Sequence, residues 1–416
     1  MIFKLRSSLI YSYLRWEFKI WTRLQYFLAI LSGSNSINRL KDRPDIGILK
    51  NLINKNEKKR IALFVGYHKS DFIPFNNIQY VKNLINCSFT IVYIHNGKLN
   101  KEVKQTLTDM GCYVICRKNL GQDFGGWKDA LFFLRKYKLD NILDWILLCN
   151  DSNFCLEGNN SENFVKRFES GLSSINKPDF LALQVNFDIH FHYQSYFLCF
   201  SRKVFKSKRF LKFWNNYMPL TNRYHAINNG EVKMSLKVLK KFKAKVLYPS
   251  YELGPEIFNQ PIYDKNKLID LLPKNLFYLE SCFNKNSSLD TGIRKMMNAL
   301  ESYNTSHVYA LYFILFSKSP FLKKDLCRMG IFTTSQIYEL LKELKPSISD
   351  SFIQEIMQHY LQEGTAYSYE DEPRVKIKRG IAWDPNLQFS TRYNSKIFKE
   401  KFSKKMDNVI FEKSSK

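Results

Sequence analysis

Four short apolar runs, Ile61–Tyr67 (IALFVGY), Phe89–Ile94 (FTIVYI), Cys112–Cys116 (CYVIC) and Trp145–Cys149 (WILLC), limit most strongly what this chain can become. Each has the length of a strand and is apolar along its whole length, as a strand covered on both faces must be. Between them lie segments with apolar residues at helical spacing, near residues 76–86, 100–110 and 124–137. Strands and helices in such alternation predict right-handed crossovers and a largely parallel sheet with helices on both faces. Further along, Phe180–Phe187, Tyr196–Phe200 and Lys245–Tyr248 read as strands, and Phe205–Tyr217 and Gly230–Phe242 as helices. From Leu289 to Gly364 the pattern is helical, with turns at Ser302–Asn304, Lys318–Pro320 and Lys345–Ser347. The organisation expected is an amphipathic basic helical segment over 1–56, an α/β domain over 57–265, a helical region over 266–370 and a basic tail over 371–416.

Ligands of such sheets bind beyond the carboxyl ends of the strands. Four polar clusters stand there: Tyr67-His68-Lys69, His95-Asn96-Gly97, Arg117–Gly126 and Asn150-Asp151-Ser152. The densest continues to Ala130 as RKNLGQDFGGWKDA and joins a strand to a helix. Its glycines, Gly121, Gly125 and Gly126, permit close backbone approach, and the free amides of a helix start favour a phosphate or other anion. A tight structural turn explains isolated glycines equally well, and the run fits neither GxGxxG nor the Walker pattern. Arg117, Lys118 and Lys128 are available for phosphates, or are solvated charges. Asp151, at the end of WILLC, can hold a divalent cation bridging a diphosphate or fix a sugar hydroxyl; its plainer role is that of a turn or cap residue.

The net charge of +26, from 64 Lys and Arg against 38 Asp and Glu, calls for an anionic partner: nucleic acid, an anionic membrane surface or a phosphorylated substrate. The lysines are scattered, so a merely basic surface accounts for part of it. Eight cysteines at irregular spacing do not make a secreted disulfide framework and fit a reducing cytoplasm; Cys149 and Cys199 read as buried small hydrophobes. No segment offers the roughly 18 uninterrupted apolar residues of a membrane span, and Arg15, Glu17, Lys19 and Arg23 break any signal-peptide core. Arg15, Lys19 and Arg23 instead line one face of a helix, with Trp16, Ile20, Trp21, Leu24, Phe27 and Leu31 on another. That pattern suits a helix lying in a lipid interface, or one packed on its own domain.

RKNLGQDFGGWKDAL, the strand-end NDS, HYQSYFLCFSRKVFKS, GEVKMSLKVL and NTSHVYALYFILFSKSPFLKKDL together resemble the rhamnan synthesis protein F family of bacterial polysaccharide glycosyltransferases, over roughly residues 60–330. The resemblance implies a GT-A-like, Rossmann-type, mostly parallel sheet flanked by helices, and a nucleotide-sugar transferase. Carried over by position, Asn96 and Asp123 face the nucleotide, Asp151 is the donor-phosphate or metal carboxylate with Mg²⁺ or Mn²⁺, and Glu231 is the catalytic base. Asn119, Gly121, Gly125, Gly126, Lys128 and Asn150 complete the donor side. Asn150 stands where a second acidic residue would make a full DxD, and Gly230 where the family tends to have an aromatic. His192, Gln194 and Ser195 border the acceptor side, or belong to a polar edge strand. His190, His192 and His225 have no partners at zinc-ligand spacing.

The expected protein is thus an inverting hexosyltransferase, peripheral on the cytoplasmic membrane face, that adds a sugar such as rhamnose to a lipid-linked glycan. The rival is a non-enzymatic nucleic-acid binding protein. The charge suits it, but the chain has no RNP signature, zinc finger or compact recognition helix.

Overall fold

The computed structural model describes residues 16, 20–32, 39–68, 72–174, 176–187, 190–259, 265–283, 288–301 and 303–363. Arg15, Glu17, Lys19, Lys69 and the basic tail 371–416 lie outside the described residues.

The strands are β1 (Leu40–Asp42), β2 (Arg60–Gly66), β3 (Phe89–His95), β4 (Tyr113–Arg117), β5 (Trp145–Asn150), β6 (Asn153–Cys155), β7 (Phe180–Ala182), β8 (Val185–Asn186), β9 (His192–Tyr193), β10 (Phe197–Ser201), β11 (Ala244–Val246) and β12 (Phe321–Lys323). Eight form one sheet in the order β1-β4-β3-β2-β5-β10-β7-β11. β4, β3, β2 and β5 run parallel, as do β7 and β11, whereas β10 is antiparallel to both β5 and β7, and β1 to β4. The expected mostly parallel α/β sheet is the one observed.

The apolar runs are continuous because both faces of the sheet are covered. Ile61, Leu63 and Val65 of β2 enter one core with Phe124, Trp127 and Trp214, while Ala62 and Phe64 enter the other with Tyr80 and Phe164. β5 divides in the same way, Ile146 and Leu148 to the first core and Leu147 and Cys149 to the second, as the two-residue period of a strand requires. Cys149 and Cys199 are fully buried free thiols.

The helices that shape the site are α1 (residues 20–31), α2 (Ile46–Lys55), α3 (Phe75–Asn86), α4 (Lys101–Asp109), α5 (Gln122–Lys136) and α6 (Asn159–Leu172). The helices over 289–363 join the second core through Met296, Leu311, Leu340 and Ile356. Their hold on the sheet includes a tertiary cap: α3 begins after Pro74 without a side-chain cap of its own, and Glu355 accepts from the Phe75 and Asn76 amides at 2.7 and 3.1 Å.

Four expected elements differ. Phe180–Phe187 is two strands, because β8 leaves the sheet to pair with β9. Phe205–Tyr217 is broken at Ser207, which caps the helix Lys208–Asn216 by accepting from the Phe210 amide. Gly230–Phe242 belongs to a helix that starts at Arg223 and continues as a π-helix over Ala226–Val232. The run expected to be helical beyond Leu289 contains β12, which pairs with β6. Only contact with a distant strand makes so short a piece extended.

α1 meets the body through a narrow strip. Ala29 is buried with Met218 and Leu220, and Gln25 accepts from the Asn222 side chain at 2.8 Å. Trp16, Ile20, Trp21, Leu24, Phe27 and Leu31 are all exposed, as are Leu28 and Ile30. Among the described residues no helix is long and apolar enough to cross a membrane.

Candidate active site

Two ionic clusters form around the carboxyl ends of β2, β4 and β5, and the glycine-rich run contributes to both. Asp129, 1% exposed, accepts from Arg39 at 2.7 and 3.0 Å and from Arg117 at 2.9 Å. Arg117 also donates to Asn96 Oδ1 and, at 2.7 Å, to the Leu120 carbonyl. Arg117 and Asn96 are each 2% exposed and committed to one another. They shape the turn after β4; neither is left to contact a nucleotide or phosphate in the way expected from sequence. Lys128 is likewise redirected: its ammonium donates to the Tyr217 carbonyl at 2.5 Å and lies over the Phe132 ring, and burial lowers its pKa to about 8. It secures the carbonyl end of the helix Lys208–Asn216.

The glycines serve packing. Gly121 has φ +75°, and a Cβ there would lie 2.5 Å from Pro219. On Gly125 a Cβ would meet the Leu120 carbonyl at 2.1 Å, and on Gly126 it would meet Val65 of β2 at 2.8 Å. In place of the anion approach expected of them, Gly125 lets the preceding turn close against α5 and Gly126 lets α5 close on β2. Lys118 and Asn119 are exposed on the loop before Gly121.

The second cluster holds the remaining acidic groups. Asp123, on the first turn of α5, accepts from Asn150 Nδ2 at 2.6 Å, and Asn150 Oδ1 accepts from the Ser152 amide and hydroxyl at 3.2 and 2.8 Å. Asp151 accepts from the Tyr67 amide at 2.9 Å, which ties the ends of β5 and β2 together. Burial, and then the nearby Asp151 carboxylate, push the Asp123 carboxyl up to about 7. Tyr67 is exposed and its ring stacks at 6.4 Å on His95, whose pKa burial and then His68 lower to about 4. Sequence reasoning did not single out Tyr67 or His95, although both stand in the strand-end clusters it searched.

β9 and the π-helix bring in the acceptor-side residues. His192 Nδ1 lies 2.7 Å from the His190 carbonyl, which can only accept, so Nδ1 carries hydrogen and Nε2 faces Glu231 Oε2 at 3.8 Å. The other carboxylate oxygen, Oε1, accepts from the Ser195 amide at 2.5 Å. Gln194 is anchored through its backbone to the Gln184 carbonyl at 3.0 Å, and its buried Nε2 has no hydrogen-bond partner among the described residues. Glu231 does not begin a helix. It lies within the π-helix and reaches across to His192 of β9 and the Ser195 amide, so it does not serve as a helix cap; such π-turns recur at functional sites. Gly230 has its Cα packed against the Phe124 ring, where an added Cβ would come within 2.8 Å. The ring of Phe124 occupies the space an aromatic at 230 would need, and it joins the Asp123 and Glu231 halves of the site.

Among the described residues no three His, Cys, Asp or Glu side chains gather as a metal cluster. His225 turns away, bonded to the Met218 carbonyl at 2.7 Å.

A mixed, mostly parallel sheet with carboxylates at its strand ends, next to a two-stranded pair whose His192 faces Glu231, defines an α/β protein with a polar site at the carboxyl edge. A family profile for rhamnan synthesis protein F matches residues 91–315, and the chain belongs to that family. An uncharacterized protein, y4gN, of Sinorhizobium fredii (strain NBRC 101917 / NGR234) is 24% identical over 204 residues, 49% of this chain and 52% of that protein. The chain thus spans about half the length of that relative. A crystal structure of a candidate nucleotide-diphospho-sugar transferase from Desulfovibrio desulfuricans G20 is 12% identical, covering 46% of this chain and 80% of that one at a TM-score of 0.26. A superposition that loose says nothing about activity.

Proposed function

We propose that this protein is an inverting GT-A-type glycosyltransferase that moves a hexose, such as rhamnose, from a nucleotide-sugar donor to a growing cell-surface polysaccharide. The observation that carries the reading is the pairing, across Phe124 and Gly230, of a strand-end carboxylate pair with a separate carboxylate–histidine pair. Glycosyl transfer needs both: one set for the donor's diphosphate, another for the acceptor's proton.

In this reading the acceptor oxygen bonds to the anomeric carbon as the bond from that carbon to the phosphate oxygen breaks. The electron pair leaves on the diphosphate, and the acceptor proton passes to Glu231 Oε2. The Ser195 amide fixes the other oxygen, and His192 Nε2 stands beside Oε2 to share the proton. The unpaired Gln194 amide is suited to an acceptor hydroxyl. Asp123 and Asp151 fit Mg²⁺ or Mn²⁺, which commonly takes one or two carboxylates and completes its shell with water and substrate phosphates. A proton-retaining carboxyl beside a second carboxylate is the strain a divalent cation relieves. When bound, that cation would neutralise diphosphate charge.

A lipid-linked acceptor on an anionic membrane surface suits α1, which leaves its large apolar side chains exposed while Ala29 packs on Met218 and Leu220, beside the Thr221 hydroxyl that accepts from the Gly121 amide at 3.3 Å. The decisive experiment is thermal stabilisation by a panel of dTDP-, UDP- and GDP-linked sugars with and without Mn²⁺. A true donor at ~100 times its dissociation constant adds about 2.7 kcal/mol; stabilisation by none of them, or by their nucleoside diphosphates, rules the reading out. Membrane attachment is read by flotation with anionic vesicles: Trp21→Ser, Leu24→Ser and Phe27→Ser together should release the protein, and undiminished flotation would assign α1 another role.

A further inference from the structure

β12 brings a basic segment to the strand-end site from the far side of the chain. Lys323 pairs with Asn153, two residues beyond Asp151, and the Lys324 amide donates to the Ser152 carbonyl at 3.2 Å. The Lys323 ammonium lies 4.0 Å from the centroid of the Tyr196 ring, and Tyr196 follows the residue whose amide holds Glu231. An aromatic face fixes the direction of an ammonium without neutralising it. Its electrostatic neighbours are Asp325, Glu231, Arg223 and Asp123, drawn from both halves of the site.

Among the described residues no carboxylate comes within ion-pair distance of Lys323. Asp325, the nearest in sequence, is already shared by His307 at 3.1 Å, Arg223 at 3.3 Å and Arg328 at 3.9 Å. A half-buried lysine, held over a ring and left among the described residues without a direct counter-ion, is a cation awaiting an anion. Asn150 of the same strand end supplies no charge, so that end carries fewer carboxylates for a metal than a full acidic motif would.

We propose that Lys323 binds the donor's diphosphate and takes up the negative charge of the leaving nucleoside diphosphate. This rests on the glycosyltransferase reading, and adds that the helical C-terminal region completes the active site. The anomeric carbon–oxygen bond breaks with its electron pair on the phosphate oxygen, and the ammonium meets that charge without giving up its own proton.

The test is calorimetric binding of UDP, dTDP and GDP, each against its monophosphate, to the full chain and to Lys323→Met and Lys323→Arg, in EDTA and in Mn²⁺. Lys323→Met should weaken the preferred diphosphate by about tenfold or more, equivalent to roughly 1.4 kcal/mol, and leave the monophosphate within about twofold; Lys323→Arg should restore most of the difference. Turnover of Lys323→Met should fall by about 10²–10³, the loss seen when one charge-stabilising donor is removed. An unchanged preference for diphosphate over monophosphate overturns the proposal. A wild-type protein that binds no nucleoside diphosphate overturns it together with the glycosyltransferase reading, whereas wild-type binding matched by the Met variant overturns it alone. If Lys323→Met melts early, Lys323→Gln, which keeps a polar tip, answers the same question.

Discussion

Asp129 and Asp123 lie six residues apart on α5, yet their surroundings are opposite. Asp129 is enclosed by two guanidinium groups, Arg39 and Arg117, and its charge is fully met. Asp123 has an amide as its hydrogen-bond partner and another carboxylate nearby; Arg223 and Lys323 act on it without forming an ion pair among the described residues, and its carboxyl is raised to about 7. One cluster spends its charges on itself and holds the turn after β4; the other keeps charge unmet and so has something to offer a ligand. Proximity to the glycine-rich run does not distinguish functional residues here. Whether a side chain's partners are already supplied by the protein does.

The largest effects should come from the unmet cluster and appear as turnover. Glu231→Gln keeps the shape and an acceptor for the Ser195 amide but removes the base, so turnover should drop by roughly 10²–10⁴ at unchanged melting temperature and donor affinity. Asp151→Asn should also abolish most turnover, now with weaker donor binding. A Glu231→Gln enzyme with normal turnover would move the base to His192 or another carboxylate.

Next in size is the met cluster, and there the effect should be stability. Asp129→Ala leaves Arg39 and Arg117 buried without their shared carboxylate, a change that costs about 3–5 kcal/mol in comparable pairs. Urea denaturation should show that loss, and protein that remains folded should keep wild-type donor affinity. A loss below about 1 kcal/mol would mean the guanidinium groups find water or new partners, and the contrast between the two aspartates would fail.

The sheet was readable from sequence because burial on both faces writes itself into a run such as IALFVG without reference to anything distant. Strand-end placement likewise made Asp123, Asn150 and Asp151 identifiable, since topology alone puts strand ends together. What was not legible depends on contacts between remote segments. Lys128 looks like any phosphate lysine until the Tyr217 carbonyl takes it. Gly126 looks like a phosphate-loop glycine until Val65 fills the space. Lys323 sits in a run with the apolar density of a helix, and nothing local shows that β6 will draw it into a strand. Glu231 was found through the family resemblance, while its partners Ser195 and His192 became neighbours only when β9 met the π-helix.

The smallest expected effect is the pH dependence that Asp123 imparts to stability, and its sign follows from the raised pKa. Between the ordinary carboxylate value of 3.8 and about 7, the folded chain holds a proton on Asp123 that the unfolded chain has released. Stability therefore falls as pH rises through that window and levels off above it. Because the residue is only partly buried by its surroundings, the contribution is on the order of 1–2 kcal/mol. Asp123→Asn should flatten this part of the profile and be the more stable protein at pH 8, whereas Asp129→Asn, which weakens the pairing with Arg39 and Arg117, should be the less stable protein there. Mn²⁺ should flatten the wild-type profile as well, by favouring the ionised Asp123, and should have no such effect on Asp123→Asn. Denaturant midpoints measured from pH 4 to pH 8 with EDTA or Mn²⁺ give all of these slopes. A wild-type slope equal to that of Asp123→Asn would show that the carboxyl ionises normally in the folded chain, and the physical distinction between the two aspartates would then rest on Asp129 alone.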